Sequence, residues 1–265
     1  MLSPTTELLR LSQAHLNLLE TCPRKFQHTY LEQLKSPPNP QHEENQTLGS
    51  RFHLLMQQRE MGLPIARILE ADTQLLTWMS NFANAAPEIL TLNNQQTFRD
   101  SEHYRTLQID HYLLTVVYDL LIADEEKAQI LDWKTYPQPP SKRKLEQNWQ
   151  TRLYLYVLAE TSAYLPENIS MTYWFVQSQG EPKNIRFDYN QTKHQQTGKK
   201  LHQLLNKLTS WLEGYQNKEL FPQIPPNSSA CNYCDFATAC QRTQAREVYQ
   251  KHHLPNLANI QEISL

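Results

Sequence analysis

Asp119 closes the run "TVVYD", Asp132 closes "QILD", and Lys134 follows Asp132 by one intervening residue. Both aspartates end stretches of sheet-forming residues, and "DEEK" joins the two stretches. As neighbouring strands they bring both carboxylates out at one sheet edge. Two such carboxylates repel unless a cation neutralises them. A hard divalent ion such as Mg²⁺ takes carboxylate and water oxygens, with backbone carbonyls filling further positions. In a strand Lys134 points to the same face as Asp132. There its ammonium can orient an attacking water or stabilise charge building on a phosphate. A D-x-K triplet also occurs as a plain ion pair at an exposed strand end, so its neighbours matter. Gln147, Gln150 and Tyr154 share one face of the helix expected next, where Gln150 and Tyr154 can touch a nucleic-acid backbone or hold metal-bound water. His53, on a helix that also carries Gly49, offers an imidazole suited to Mn²⁺ over Mg²⁺.

A second group is made of thiols. Cys231, Cys234 and Cys240 are compact enough for one metal centre, and Cys22 can be the fourth ligand. Four thiolates suit either Zn²⁺ or a [4Fe–4S] cluster, and spacing does not separate the two. Joining residue 22 to residue 231 would close a very long loop and staple the two ends of the chain. Lys142, Arg143 and Lys144, in "SKRK", stand a few residues beyond Lys134 and are candidate phosphate contacts; "KHQQTGKK" at 193–200 is another. Trp133, Tyr136 and Trp149 are candidates to stack on the bases of a single strand.

These residues need a scaffold. Leucines 8, 9 and 11 read as a short helix or a break, and Ser12 caps a helix running to about Leu34. "SPPNPQHEENQ" is a polar, proline-rich loop, and helical periodicity returns from about 49 to 95. "YRTLQIDHYLLTVVYDLLIAD" and "AQILDWKT" are strand-like, a helix covers about 144–160, and "ISMTYWFVQ" and "NIRFDY" are strands around a turn at Gly180. An amphipathic helix over 191–216 buries Leu201, Leu204, Leu205, Leu208 and Leu212. The expected class is α/β, with a mixed central sheet flanked by helices and a helical insertion before it.

Composition narrows the function classes. The chain has 265 residues, 39% hydrophobic and 20% charged, as a folded domain requires. Its five glycines form no phosphate-cradling loop, which argues against an ATP-driven motor. A net charge of −2 leaves no global footprint of a nucleic-acid coat protein. No apolar run suits a membrane span and the start does not read as a signal peptide, so a cytoplasmic, reducing location is expected.

Taken in order, Gly49-x-x-x-His53, Asp119, Asp132-x-Lys134 and Gln150-x-x-x-Tyr154 resemble the PD-(D/E)XK nuclease superfamily in its RecB-like branch. The opening "LSQAHLNLLETCPRKFQHTYLEQL" resembles that branch too, and Glu102 sits where the family often has a glutamate ahead of its core hairpin. The resemblance implies a restriction-endonuclease-like core over about 98–217, within one nuclease domain over 1–245 and a peripheral tail at 246–265. It implies that Asp119 and Asp132 hold Mg²⁺ or Mn²⁺ with the Trp133 carbonyl and His53, and that Lys134 assists the nucleophilic water. Gln150 and Tyr154 would shape the site and touch DNA. One cysteine near the start and three near the end resemble the iron–sulfur branch, which includes CRISPR-associated exonucleases. That favours a [4Fe–4S] cluster over zinc and the N-/C-terminal region as an iron–sulfur staple. The implied activity is exonucleolytic hydrolysis of single-stranded DNA or DNA ends, in repair, recombination or CRISPR adaptation, with a helicase or CRISPR protein as partner. One departure stands out: the family usually has a glycine shortly before the first aspartate, where this chain has Val116, Val117 and Tyr118. Bulk there is expected to narrow the approach to the metal. That departure and the near-neutral charge support a different class of function, a non-hydrolytic module that binds DNA ends or scaffolds a complex. A zinc-stabilised interaction protein is a third.

Overall fold

The structure, a computed structural model, describes residues 8–34, 40–91, 97–177, 181–226, 228–232 and 234–242, and of 40–46 the backbone alone. The expected turn at Gly180 and tail at 246–265 lie outside the described residues. The chain divides into two compact units: Met1–Leu16 with Pro38–Leu205, and Asn17–Pro37 with Asn206–Leu265.

The first unit is built on a six-stranded mixed sheet. Its strands are β1 (Leu9–Leu11), β2 (Phe98–Ile109), β3 (Tyr112–Ala123), β4 (Ala128–Lys134), β5 (Ile169–Phe175) and β6 (Lys183–Asp188). β2 and β3 form a long antiparallel hairpin turned at Asp110, which takes the positive φ of 52° that such tight turns need. The other edge of β3 is shared. Leu9–Leu11 of β1 pair in parallel with Tyr112–Leu114, and β4 pairs antiparallel with Leu120–Ala123. Among the described residues this edge has no partner strand between Leu114 and Leu120, and past Leu131 strand β4 pairs with β5 alone, in parallel. The sheet therefore splits beside Asp119 and Asp132.

Helices cover both faces. Along β4 and β5, Asp132 and Tyr173 face α8 (Trp149–Glu160): Gln150 bonds Asp132, and Thr151 bonds the Tyr173 hydroxyl. Leu131, Trp133 and Trp174 alternate with them and enter the core of the helical insertion. That insertion consists of α3 (Pro40–Glu60), α4 (Ala66–Ala71), α5 (Thr73–Ala85) and α6 (Pro87–Leu90). Phe52, Leu55, Leu75, Trp78 and Phe82 bury its apolar side against the sheet. Arg99 on β2 grips the end of α3, donating to both Glu60 carboxylate oxygens at 2.5 and 2.9 Å and to the Ile89 carbonyl at 2.7 Å.

Helix α1 (Gln13–Thr21) begins in the first unit and ends in the second, where it gives way at Cys22 to α2 (Pro23–Phe26) and a π-helical turn, Gln27–Leu31. Phe26 and Phe221 stack at 6.2 Å, with Trp211 and Tyr215 around Phe221. Buried Gln27 accepts from the Phe221 N–H at 2.7 Å, and Arg24 donates to the Phe221 carbonyl at 2.6 Å. Among the described residues no helix is long and apolar enough to cross a membrane.

The architecture agrees with the α/β class expected, and the elements differ from expectation in places with clear causes. Leu9–Leu11 form a strand, because pairing with β3 overrides a leucine spacing that suits a helix. The first helix stops at Cys22, which proline at 23 holds in extended backbone (φ −159°, ψ 100°). The single helix expected over 144–160 is two, α7 (Lys142–Gln147) and α8, because the Asn148 side chain caps Gln150 N–H at 2.8 Å and starts a new helix. The insertion begins at Pro40, ahead of the expected 49.

Phe82 is fully buried and meets both Trp133 and Trp174 edge-on at 5.2 Å. Phe82→Ala should destabilise the chain by about 3–5 kcal/mol, read as a lower urea midpoint; an unchanged midpoint would mean that this aromatic trio does not hold the insertion on the sheet.

Candidate functional site

The split in the sheet leaves the N–H and the carbonyl of Trp133 without strand partners on the β3 side, and side chains take them over. The Trp133 N–H donates to Asp119 Oδ2 at 2.6 Å, and His53 Nε2–H donates to the Trp133 carbonyl at 3.1 Å. His53 Nδ1 faces Asp119 Oδ1 at 3.3 Å. Gly49 makes this approach possible. A Cβ there would sit 2.7 Å from the Thr135 hydroxyl oxygen, so only glycine lets α3 pass this close to the end of β4. His53, one helical turn on, then reaches the site.

Asp132 is buried, with Oδ1 against the Lys134 ammonium and Oδ2 accepting from Gln150 Nε2–H at 2.6 Å. Lys134 also lies 5.2 Å from the centre of the Tyr173 ring. The pair Leu120–Leu131 puts Asp119 and Asp132 at the next opposed positions, and Ser101–Leu120 and His103–Tyr118 bracket Glu102 opposite Asp119. The three carboxylates thus form one row across β2, β3 and β4. Glu102 has φ 51°, an uncommon conformation for a side-chain-bearing residue in a strand. His53, Glu102 and Asp119 each offer a ligand atom within 4.8 Å of the others.

The electrostatics follow from this crowding. Burial pushes the Asp132 carboxyl up to about 7, against the pull of Lys134 and with repulsion from Asp119 adding to it. Glu102 is raised by burial and then by Asp119. Burial would lower the His53 imidazole, but Asp119 outweighs it and leaves the pKa raised. Burial disfavours the Lys134 cation too, and Asp132 and Asp119 reverse that, so its pKa is raised. Carboxylates, a peptide carbonyl and one imidazole, gathered where negative charge is undercompensated, fit a hard divalent cation.

The structure brings together His53, Asp119, Asp132, the Trp133 peptide, Lys134 and Gln150. Tyr154 lies behind them: it is buried, and its side chain bonds that of Gln150. That position supports Gln150 and offers no surface to DNA. Gln147 falls on α7 and not on the Gln150 face. Lys142, Arg143 and Lys144 are exposed on α7, where the Ser141 hydroxyl caps Lys144 N–H at 3.3 Å. Of the three stacking candidates, Trp133 and Trp149 are core residues and only Tyr136 is exposed, at 38%. Glu102 joins the site through an irregular backbone that no periodicity signals; its place ahead of the hairpin was the one pointer to it.

The four cysteines all belong to the second unit, half-buried and without disulfides. Cys22 Sγ accepts from Lys25 N–H at 3.4 Å, and Cys240 Sγ lies 3.8 Å from His28 Nε2. Burial raises the Cys234 and Cys240 thiols, and the neighbouring thiols push the same way. They are not drawn together as closely as the carboxylate site: among the described residues only His53, Glu102 and Asp119 form a gathered ligand group.

Asp132, Glu102 and His53 all bind protons more tightly in the folded chain. At this site the folded state therefore holds more protons than the unfolded one, and the site's contribution to stability falls as pH rises. The carboxyls lose theirs upward from about pH 4, Asp132 through about 7, and His53 on passing its raised value. In chelator, the unfolding free energy should fall from about pH 5 to about pH 8 by an amount on the order of a few kcal/mol, read as a lower melting temperature. Mg²⁺ should restore it at the upper end, and Asp132→Asn should flatten the profile. A flat wild-type profile, or one that Asp132→Asn leaves unaltered, would contradict this charge balance.

A model of the PD-(D/E)XK nuclease superfamily matches residues 10–241. No curated protein matches the chain in sequence. Among solved structures, a "Putative exonuclease" from Eubacterium rectale aligns at 9% identity over 100% of this chain and 96% of that one, with a TM-score of 0.51, a likeness of fold. The crystal structure of SSO0001 aligns at 13% identity over 91% of this chain and 88% of that one, with a TM-score of 0.39. The sheet and its flanking helices are of the restriction-endonuclease-like kind. By a match that runs from β1 to beyond the last cysteine, this chain belongs to the PD-(D/E)XK nuclease superfamily.

Proposed function

We propose that the chain is a metal-dependent DNA nuclease that hydrolyses phosphodiesters in single strands or at DNA ends. The observation that carries this reading is the row Glu102–Asp119–Asp132 at the split in the sheet, with Lys134 beside it. Mg²⁺ or Mn²⁺ would be held by Asp119, Asp132, the Trp133 carbonyl and His53, with Glu102 within reach. Such an ion supplies positive charge to a phosphate oxygen and lowers the pKa of a bound water. Lys134 is the ammonium that steadies the water and offsets charge developing on the phosphate. Gln150 fixes Asp132, and Tyr154 fixes Gln150. Exposed Tyr136 and the cations Lys142, Arg143 and Lys144 are the surface groups suited to a single strand and its phosphates.

With labelled single-stranded DNA and Mg²⁺ or Mn²⁺, Asp132→Ala and Lys134→Ala should each lower the cleavage rate about a hundredfold or more. Equal cleavage by wild type and both variants would place the activity elsewhere. Tight DNA binding without turnover in any divalent ion would favour the scaffold reading.

Cys22, Cys231, Cys234 and Cys240 are the ligands we assign to a [4Fe–4S] cluster, with Zn²⁺ as the alternative. Support comes from a soft, all-thiol donor set within one unit and from resemblance to the iron–sulfur branch. That resemblance also supports a place in DNA repair or CRISPR adaptation beside a helicase or CRISPR protein in the cytoplasm, with residues 1–245 acting as one nuclease domain. Protein purified without air should be brown and contain iron, and Cys22→Ser should lose both properties. Colourless protein with stoichiometric zinc would decide for the alternative.

A further inference from the structure

A cavity of about 360 Å³ opens in the first unit between α7, α8, β6 and the start of α9 (Gln191–Gln216). None of the carboxylate row lines it. Five charged side chains do: Arg152, Lys193, Lys200, Glu146 and Asp188. Both acids already have a cation. Glu146 pairs with Lys193 at 3.1 Å, and Asp188 pairs with Arg186 at 2.7 Å. Arg152 has no carboxylate among these pairs, and its Nη1 is buried with no hydrogen-bond acceptor among the described residues. A desolvated guanidinium donor left this way is costly and marks a place where an acceptor belongs. Lys200 brings a second cation to the same spot: its ammonium lies 5.6 Å from the Trp149 ring centre, and the Arg152 guanidinium lies 6.0 Å from it. Two like charges against one indole gain from an anion that both can reach. Leu155 and Phe187 add an apolar wall, and Lys142 lies over the Phe187 ring at 5.5 Å. Charged donors with an adjoining apolar wall, in a space of this size, suit a small ligand with an anionic head.

We propose that this cavity is a phosphate subsite in which Arg152 and Lys200 hold the phosphate of a nucleotide while the sugar or base packs on Leu155 and Phe187. The choice of a phosphate ester among anions rests on the nuclease reading; the anion site does not. The ester is either a unit of the bound strand or a free mononucleotide.

The full chain, kept in chelator so that no divalent ion takes part, is titrated calorimetrically with thymidine 5′-monophosphate, inorganic phosphate, thymidine and a short oligothymidylate. The monophosphate and phosphate should bind and thymidine should not. Arg152→Gln and Lys200→Gln should each weaken monophosphate binding about tenfold, and Lys134→Ala should leave it unchanged. A chain that fails to cleave DNA and still shows this pattern keeps the subsite while losing the nuclease assignment. If oligothymidylate loses affinity by the same factor in both variants, the strand supplies the phosphate. If only the monophosphate does, the ligand is the free nucleotide. Should Arg152→Gln not fold, the half-buried Lys200 decides alone. Absence of phosphate binding, or wild-type affinity in folded Lys200→Gln, overturns the proposal.

Discussion

The site depends on one hydrogen bond, from the Trp133 N–H to Asp119 Oδ2. Where β4 leaves β3, a strand would ordinarily offer a carbonyl to that N–H, and here a carboxylate does. The exchange meets the demand that a buried peptide donor find a partner, and it pins the first carboxylate beside the second. The carbonyl of the same residue turns to His53. Below the peptide, the Trp133 indole is clamped by Phe82 in the core of the insertion. One residue thus ties the packing of the insertion to the position of Asp119, and the tryptophan of "LDWK" is a structural anchor whose backbone holds Asp119 and His53 in place.

Charge sets the second constraint. A row of three carboxylates faces one lysine and one imidazole, and burial raises the proton affinity of Asp132 and Glu102 instead of letting both ionise freely. Within the chain's own groups the site is balanced by holding protons. An arrangement selected for stability alone would replace Asp132 with an apolar residue. Beside Lys134 and Asp119 its charge is one that a divalent cation would offset.

Much of this was legible in the chain because the period of each element is simple. Asp132 and Lys134 share a face because strands alternate, and Gly49 precedes His53 by one helical turn. Other features lay beyond periodicity. Gln147 has the right spacing from Gln150, yet Asn148 caps a new helix between them and sends Gln147 to the cavity instead. Glu102 reaches the row through a left-handed backbone that no propensity signals. Trp149 and Trp133 look like base-stacking residues by type, but their large apolar area wins them places in the core. The thiols share a unit, and neither spacing nor geometry assigns them a metal.

The bulk in front of Asp119 shows how a departure from a family pattern can be absorbed. Val116 and Tyr118 are buried, and only Val117 is exposed, at 36%. Tyr118 packs edge-on against Tyr154 at 5.3 Å and donates its hydroxyl hydrogen to the Tyr154 carbonyl at 3.0 Å. Tyr154 in turn bonds Gln150, which holds Asp132. The side chain expected to crowd the approach instead fills the space behind it. In doing so it braces the helix that positions the second carboxylate. Where a glycine would leave β3 and α8 free to adjust, Tyr118 fixes their spacing, so the bulk in this segment acts on the rigidity of the site more than on its access.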